Sequence, residues 1–189
     1  MMDENHRNNI RPQGAGTTTQ TEKFMRDRPK WFPVKPRNKR LPRETYEQPN
    51  IVWFFTIRAY LFQSPFVRDD LNRMVIDTLR ETRETYRCNV FIYCLMPDHL
   101  HLLTNPREAG ASVLTFIERF KGKTTNLSWK LDWKGTLWQP GSYDHGLRQE
   151  DSFREIAEYI LENPVRKKLV DTPEEWPWSG MMEPWPAGL

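Results

Sequence analysis

From residue 50 onward, apolar runs rich in β-branched and aromatic residues alternate with stretches whose apolar positions recur every three or four residues. Ile51 to Ile57 reads as a first, central strand. Asp69 to Tyr86 places Leu71, Met74, Val75, Thr78, Leu79 and Thr82 at helical spacing and predicts a helix. Cys88 to Met96 is a second strand, Pro97-Asp98 a turn, and residues 99–104 a third strand antiparallel to the second. After a loop at Pro106 to Gly110, Ser112 can cap a second helix that buries Val113, Leu114, Phe116, Ile117 and Phe120. Gly135 to Leu147 is turn-rich, with room for one or two short strands. A third helix starts at Ser152, where Ser152 and Glu155 have capping-box spacing. At ~100° per residue, its Phe153, Ile156, Ala157, Ile160 and Leu161 fall on one face. This order predicts an α+β fold: an antiparallel sheet, ferredoxin-like in its first five elements, with helices packed on one side and a further C-terminal helix.

The first 50 residues follow a different pattern. Residues 1–48 read as a disordered or extended basic, Pro-rich arm, residues 49–180 as the folded domain, and residues 181–189 as a short tail. The net charge of +3 is uneven, because residues 1–50 hold 11 Lys/Arg against 6 Asp/Glu. A basic arm on a near-neutral body suits nucleic acid or another polyanion, and equally a solubilising tail. No apolar run reaches the ~18 residues of a membrane span, and the N-terminus lacks signal-peptide order. Cys88 and Cys94, six apart, read as reduced core residues on one strand face, and the expected compartment is cytoplasmic.

Candidate chemistry centres on His99 and His101. Side chains at i and i+2 of a strand share a face, so the two imidazoles project together, away from Leu100 and Leu102. Such a pair can hold one cation, or can simply sit on the solvated, exposed face of an amphipathic strand. On the third helix Glu155, Tyr159 and Asn163 form a stripe beside the core face. Packing on one flank would hold the Tyr159 ring while its hydroxyl faces outward. A positioned phenol beside a metal-bound phosphate can attack phosphorus. Two other tyrosines compete: Tyr93 shares strand parity with Leu95, and Tyr143 lies in the turn-rich segment, where a side chain is poorly fixed. Lys121 and Lys123 on the second helix can meet phosphates or face solvent.

Leu95-Met96-Pro97-Asp98-His99-Leu100-His101-Leu102, then Leu137 to His145, then Glu158 to Arg166, resemble in order the REP-associated tyrosine transposases. These belong to the His-hydrophobic-His single-tyrosine superfamily, and Trp176-Pro177-Trp178-Ser179 resembles their tail. The resemblance implies a Mg²⁺ or Mn²⁺ ion on His99 and His101, with Asn163 at the position of a polar helper ligand. The following Pro164 disfavours helical geometry at Asn163. The resemblance also implies Tyr159 as nucleophile, cleaving single-stranded DNA beside a hairpin and leaving a 5′-phosphotyrosine and a free 3′-hydroxyl. His145 and Arg148 match a recurring polar pair near substrate or in a structural role, and Arg166 falls in the tyrosine block as a DNA contact. The implied partner is single-stranded or hairpin DNA, bound without a membrane by a monomer or homodimer. The alternative is a DNA-hairpin binding protein that keeps the fold without turnover. A metal hydrolase using water would leave the Tyr159 block unexplained.

Overall fold

The computed structural model describes residues 40–148 and 151–185. Residues 1–39, most of the expected arm, lie outside the described residues. Five strands make one antiparallel sheet: β1 (Trp53–Arg58), β2 (Cys88–Met96), β3 (His99–Pro106), β4 (Tyr143–Gly146) and β5 (Ser179–Met181), in the order β4-β1-β3-β2-β5. Helix α1 (Asp69–Thr85) joins β1 to β2, and α2 (Val113–Ser128) joins β3 to β4. Helix α3 (Phe153–Leu161) and the short α4 (Asn163–Arg166) precede β5. The first four strands with α1 and α2 have the ferredoxin-like order, as the pattern predicted. The α+β class is the observed one.

Burial explains why the strands are so apolar. Trp53, Phe55 and Ile57 of β1, Leu100 and Leu102 of β3, and Val90, Tyr93 and Leu95 of β2 pack with Val75, Leu79, Phe116, Ile117 and Phe120 of α1 and α2. The residues between them point the other way, and α3 packs over β2 and β3 there. Both faces of the sheet are therefore covered, which suits strands that are apolar at both parities. This corrects the expectation that the histidines sit on an exposed face. His99 is 4% exposed and His101 1%. Their cover is α3, whose own apolar face must be buried against something.

A bulge corrects a second expectation. Val90 pairs with Thr104 and Ile92 with Leu103, so Phe91 is an extra residue on β2. One inserted residue resets the alternation of side chains. Cys88 therefore joins the α1/α2 core while Cys94, six positions on, lies in the His101 row on the opposite face. Both are buried free thiols.

Two further elements lacked any periodic signal. Residues 43–47 form a 3-10 turn in which Tyr46 is fully buried. Its ring stacks on Trp53 at 4.3 Å, and its hydroxyl donates to Asp144 Oδ2 at 2.7 Å. Strand β5 adds Ser179, Gly180 and Met181 to the edge of β2. A Cβ at Gly180 would lie 3.2 Å from the Tyr93 hydroxyl, so a larger residue would force this close approach apart.

Candidate active site

Strand register assembles the first half of the site. Thr56 of β1 stands opposite His101, and Arg58 opposite His99. On the other side of β1, Tyr143 stands opposite Thr56. Directly opposed residues of antiparallel strands share a face. Tyr143, Thr56, His101 and Cys94 thus form one row across the sheet.

The two imidazoles are held at both ends. His99 Nδ1 lies 2.6 Å from Asp98 Oδ1, and His101 Nδ1 lies 2.9 Å from Thr56 Oγ1. Their Nε2 atoms face one another at 3.0 Å. Burial opposes ionisation of Asp98, but the hydrogen bond from His99 and the charges of His99 and Arg58 outweigh it and hold its carboxyl below the usual range. An ionised carboxylate only accepts, so His99 Nδ1–H must be the donor. Burial, then the charges of His99, Arg58 and Lys167, push His101 well below the ordinary histidine value, and the ring is neutral. The Thr56 hydroxyl can accept from or donate to Nδ1, so it supports either tautomer of His101.

This donor set fits a divalent cation. With both rings neutral and protonated on Nδ1, the two Nε2 lone pairs face one another, and they approach this closely only across a proton or a metal ion. Two neighbouring nitrogens of an octahedral ion with ~2.1 Å bonds lie about 3.0 Å apart, the separation found here. Mg²⁺ and Mn²⁺ both prefer oxygen donors, so either would need oxygen ligands beside the two imidazoles. Among the described residues no three His, Cys, Asp or Glu side chains converge as a ligand cluster. A cation here would therefore take its remaining ligands from other oxygen donors.

The second half of the site comes from α3. Ser152 caps the helix by accepting from the Glu155 backbone N–H at 3.3 Å, as the capping-box spacing predicted. Phe153 packs edge-on against the bulged Phe91, with ring centroids 5.6 Å apart. Two turns later Tyr159 brings its ring centroid to 6.4 Å from that of His101. Arg166 places its guanidinium 4.8 Å from the Tyr159 ring centroid, on the ring face. Asn163 is helical despite Pro164, because α3 ends at Leu161 and a new helical turn begins at Asn163. Its amide Nδ2 donates to the Tyr159 and Ile160 carbonyls at 2.7 and 3.3 Å. That bond closes carbonyls left open at the end of α3 and leaves the amide oxygen as its acceptor side.

The other sequence candidates separate. His145, opposite Phe54 on the site face, reaches Asp151 Oδ2 at 2.9 Å. The same oxygen accepts from the Arg148 backbone N–H at 2.8 Å, so His145 and Arg148 meet through Asp151, next to the Ser152 cap. Lys121 and Lys123 belong to α2, in the layer on the opposite side of the sheet. Lys121 Nζ donates to the Pro140 and Gly141 carbonyls at 2.9 and 3.1 Å, and Lys123 pairs with Glu81 at 2.6 Å. Burial, with the nearby Arg40, pushes the Lys121 ammonium down to about 8.

Tyr143 is not in a loose turn, as its surroundings in sequence suggested. It begins β4, and its ring lies 6.0 Å from Phe54 with its hydroxyl oxygen buried. Tyr93 lies in the α1/α2 core, as its parity with Leu95 predicted. Sequence reasoning missed Thr56, Arg58, Asp98 and Lys167 as members of the site. Asp98 had a usable signal, since it directly precedes His99. Thr56 had only its position as the one polar residue in the otherwise apolar run Ile51 to Ile57.

Comparison with known proteins bears on the family and the fold. A family model described as "Transposase IS200 like" matches residues 47–163. A REP-associated tyrosine transposase of Escherichia coli is 23% identical over 128 residues, covering 67% of this chain and 74% of the relative. A Haemophilus influenzae protein named provisionally for the same group is 25% identical over 138 residues, covering 68% and 78%. A solved structure, described as a REP-associated tyrosine transposase bound to a REP hairpin, shares the fold with a TM-score of 0.63 at 20% identity. That match covers 75% of this chain and 81% of the other. With the family match spanning more than half its length, the chain belongs to the IS200-like transposase family and resembles the REP-associated tyrosine transposases within it.

Proposed function

We propose that this protein is a metal-dependent single-stranded DNA endonuclease and strand transferase that acts at DNA hairpins, with Tyr159 as its nucleophile. The observation that carries the reading is the 6.4 Å approach of the Tyr159 and His101 rings, which joins two sequence blocks about 60 residues apart into one site. A relative of the same fold is described as bound to a REP hairpin, which supports DNA of that form as the partner.

His99 and His101 would hold Mg²⁺ or Mn²⁺, with the Asn163 amide oxygen as a third ligand. The ion supplies Lewis-acid polarisation of a phosphodiester. Asp98 and Thr56 fix the two rings from their Nδ1 sides, as carboxylate and hydroxyl partners of metal-binding histidines commonly do. The phenol of Tyr159 attacks phosphorus. A phosphorus–oxygen bond forms to Tyr159 as the bond to the 3′ oxygen breaks, the phenolic proton leaves, and the 3′ oxygen takes up a proton. The 5′-phosphotyrosine conserves the bond, so a second 3′-hydroxyl can reverse the step on another strand.

Arg58, Arg166 and Lys167 carry positive charge into this region and would offset the phosphate's charge. Tyr159 is preferred over Tyr143 because α3, which packs over β2 and β3, brings its ring to 6.4 Å from that of His101. His145 and Arg148, joined through Asp151, would hold the start of the tyrosine helix in place. The test is incubation with end-labelled hairpin oligonucleotides and Mg²⁺ or Mn²⁺. A protein–DNA adduct that survives denaturing gels is expected, and its absence with every hairpin tried would favour a binding protein without turnover.

A further inference from the structure

Between the end of β1 and the start of α1 the chain leaves the sheet and returns. Both feet of this excursion are tied to the two residues that precede His99. The Ala59 N–H donates to the Asp98 carbonyl at 2.8 Å, and the Phe66 N–H donates to the Pro97 carbonyl at 3.1 Å. Phe66 is anchored further by Trp138, its ring centroid 4.8 Å away. The base of the loop is thus a rigid extension of the histidine turn.

Its apex is unlike its base. Leu61 (φ 49°, ψ 34°) and Phe62 (φ 57°) are consecutive residues in left-handed backbone, a region that glycine and asparagine occupy far more readily. Both side chains point into solvent, 67% and 75% exposed. Neither residue gains burial that would offset this backbone cost. Non-glycine residues held in such conformations cluster at functional sites. Arg58 and Arg68 stand at the two feet of the loop, paired with Asp98 and Asp70, so the exposed surface of the apex itself is apolar. An exposed leucine and phenylalanine tethered to the histidine turn suit a ligand that offers flat apolar faces.

We propose that Leu61 and Phe62 form an apolar wedge on which unpaired bases of the DNA strand beside the cleaved phosphate stack. This rests on the reading of the histidine site as a DNA site. Phe and Leu side chains serve elsewhere as wedges at unstacked base steps, and aromatic rings serve as sequence-tolerant platforms for single strands. A wedge fixed to the Pro97–Asp98 turn would keep the strand single and place its phosphate within reach of His99.

The test uses the full chain carrying Leu61→Asn and Phe62→Asn together, since asparagine tolerates left-handed backbone. Thermal unfolding should occur at the wild-type temperature or above. Affinity for a hairpin with a single-stranded flank should fall about tenfold or more, the scale of losing one base stack, while affinity for the same hairpin without a flank stays unchanged. A 2-aminopurine in the flank should be quenched by the wild type and not by the variant. Unchanged affinity for the flanked hairpin, or an equal loss for both hairpins, would overturn the wedge. So would a variant that differs only in sedimenting as a smaller assembly, which would make the apex a self-association surface. If the wild type binds neither hairpin, the DNA reading of the site fails and the wedge with it.

Discussion

Burial of His101 makes the stability of the metal-free protein depend on pH in a defined window. The imidazole stacks on Phe54 at 5.3 Å and touches Thr56 and His99. Burial, with the charges of His99, Arg58 and Lys167, holds its folded-state pKa well below the ordinary value. In the unfolded chain the same ring titrates near ~6.5. The group's contribution is therefore fully present above ~6.5 and is lost as pH falls toward the depressed folded value, because the unfolded chain takes up a proton that the folded chain refuses. Each pH unit costs up to ~1.4 kcal/mol, so the loss between pH 7 and pH 5 is at most about 2 kcal/mol. Urea unfolding of wild type and His101→Gln, in chelator at pH 7, 6 and 5, isolates this ring. The variant starts less stable but should lack this part of the wild-type decline. Parallel curves for the two proteins would refute the buried, neutral histidine and restore the solvated strand face.

Thr56→Val keeps the side chain's shape and leaves His101 Nδ1 without its hydroxyl. Mn²⁺ affinity measured by calorimetry should drop about 10- to 100-fold and return with Thr56→Ser; an unchanged affinity would remove Thr56 from the site. Lys121→Met should change stability in urea unfolding by no more than about 1 kcal/mol, because water can replace the donor at the exposed Pro140 and Gly141 carbonyls, and should leave the salt dependence of DNA binding unaltered. A flatter salt slope would mean that Lys121 contacts phosphate instead. Burial raises the Cys88 thiol to about 12, raises Cys94 as well, and with the Asp144 hydrogen bond raises Tyr46 to about 12. Raised pKa values stabilise the fold below the unfolded values and lose that stabilisation above them, so stability should decline from about pH 9 upward. Folded protein at pH 8 should resist a thiol reagent that unfolded protein consumes at once.

The sheet and its helices were legible because their signals are local: period-two and period-3.6 apolar patterns, a capping box and turn residues. The side that Leu100 and Leu102 take against the histidines followed from alternation alone. Burial of the histidines did not, because it depends on α3 folding back over β3, and nothing in Asp98 to Leu103 records that. Phe91 defeated the parity argument for the cysteines because a bulge leaves no mark in a uniformly apolar strand. Tyr46 and β5 were unreadable for the same reason, since a 3-10 turn and a three-residue edge strand are too short for a period. The Tyr143 side chain looked loose because Gly135 to Leu147 is rich in turn residues, yet pairing with β1 fixes it.

The identity of the attacking oxygen tests the account most directly. Wild type should be incubated with a flanked hairpin oligonucleotide and Mn²⁺, digested, and its DNA-linked peptide sequenced by mass spectrometry. The linked residue should be Tyr159. Tyr159→Phe removes one oxygen and leaves the ring in place, so it should bind the hairpin nearly as before, change stability by less than ~1 kcal/mol, and form no adduct. A linkage at Tyr143 or Tyr93, or a Tyr159→Phe protein that still forms the adduct, would contradict the mechanism.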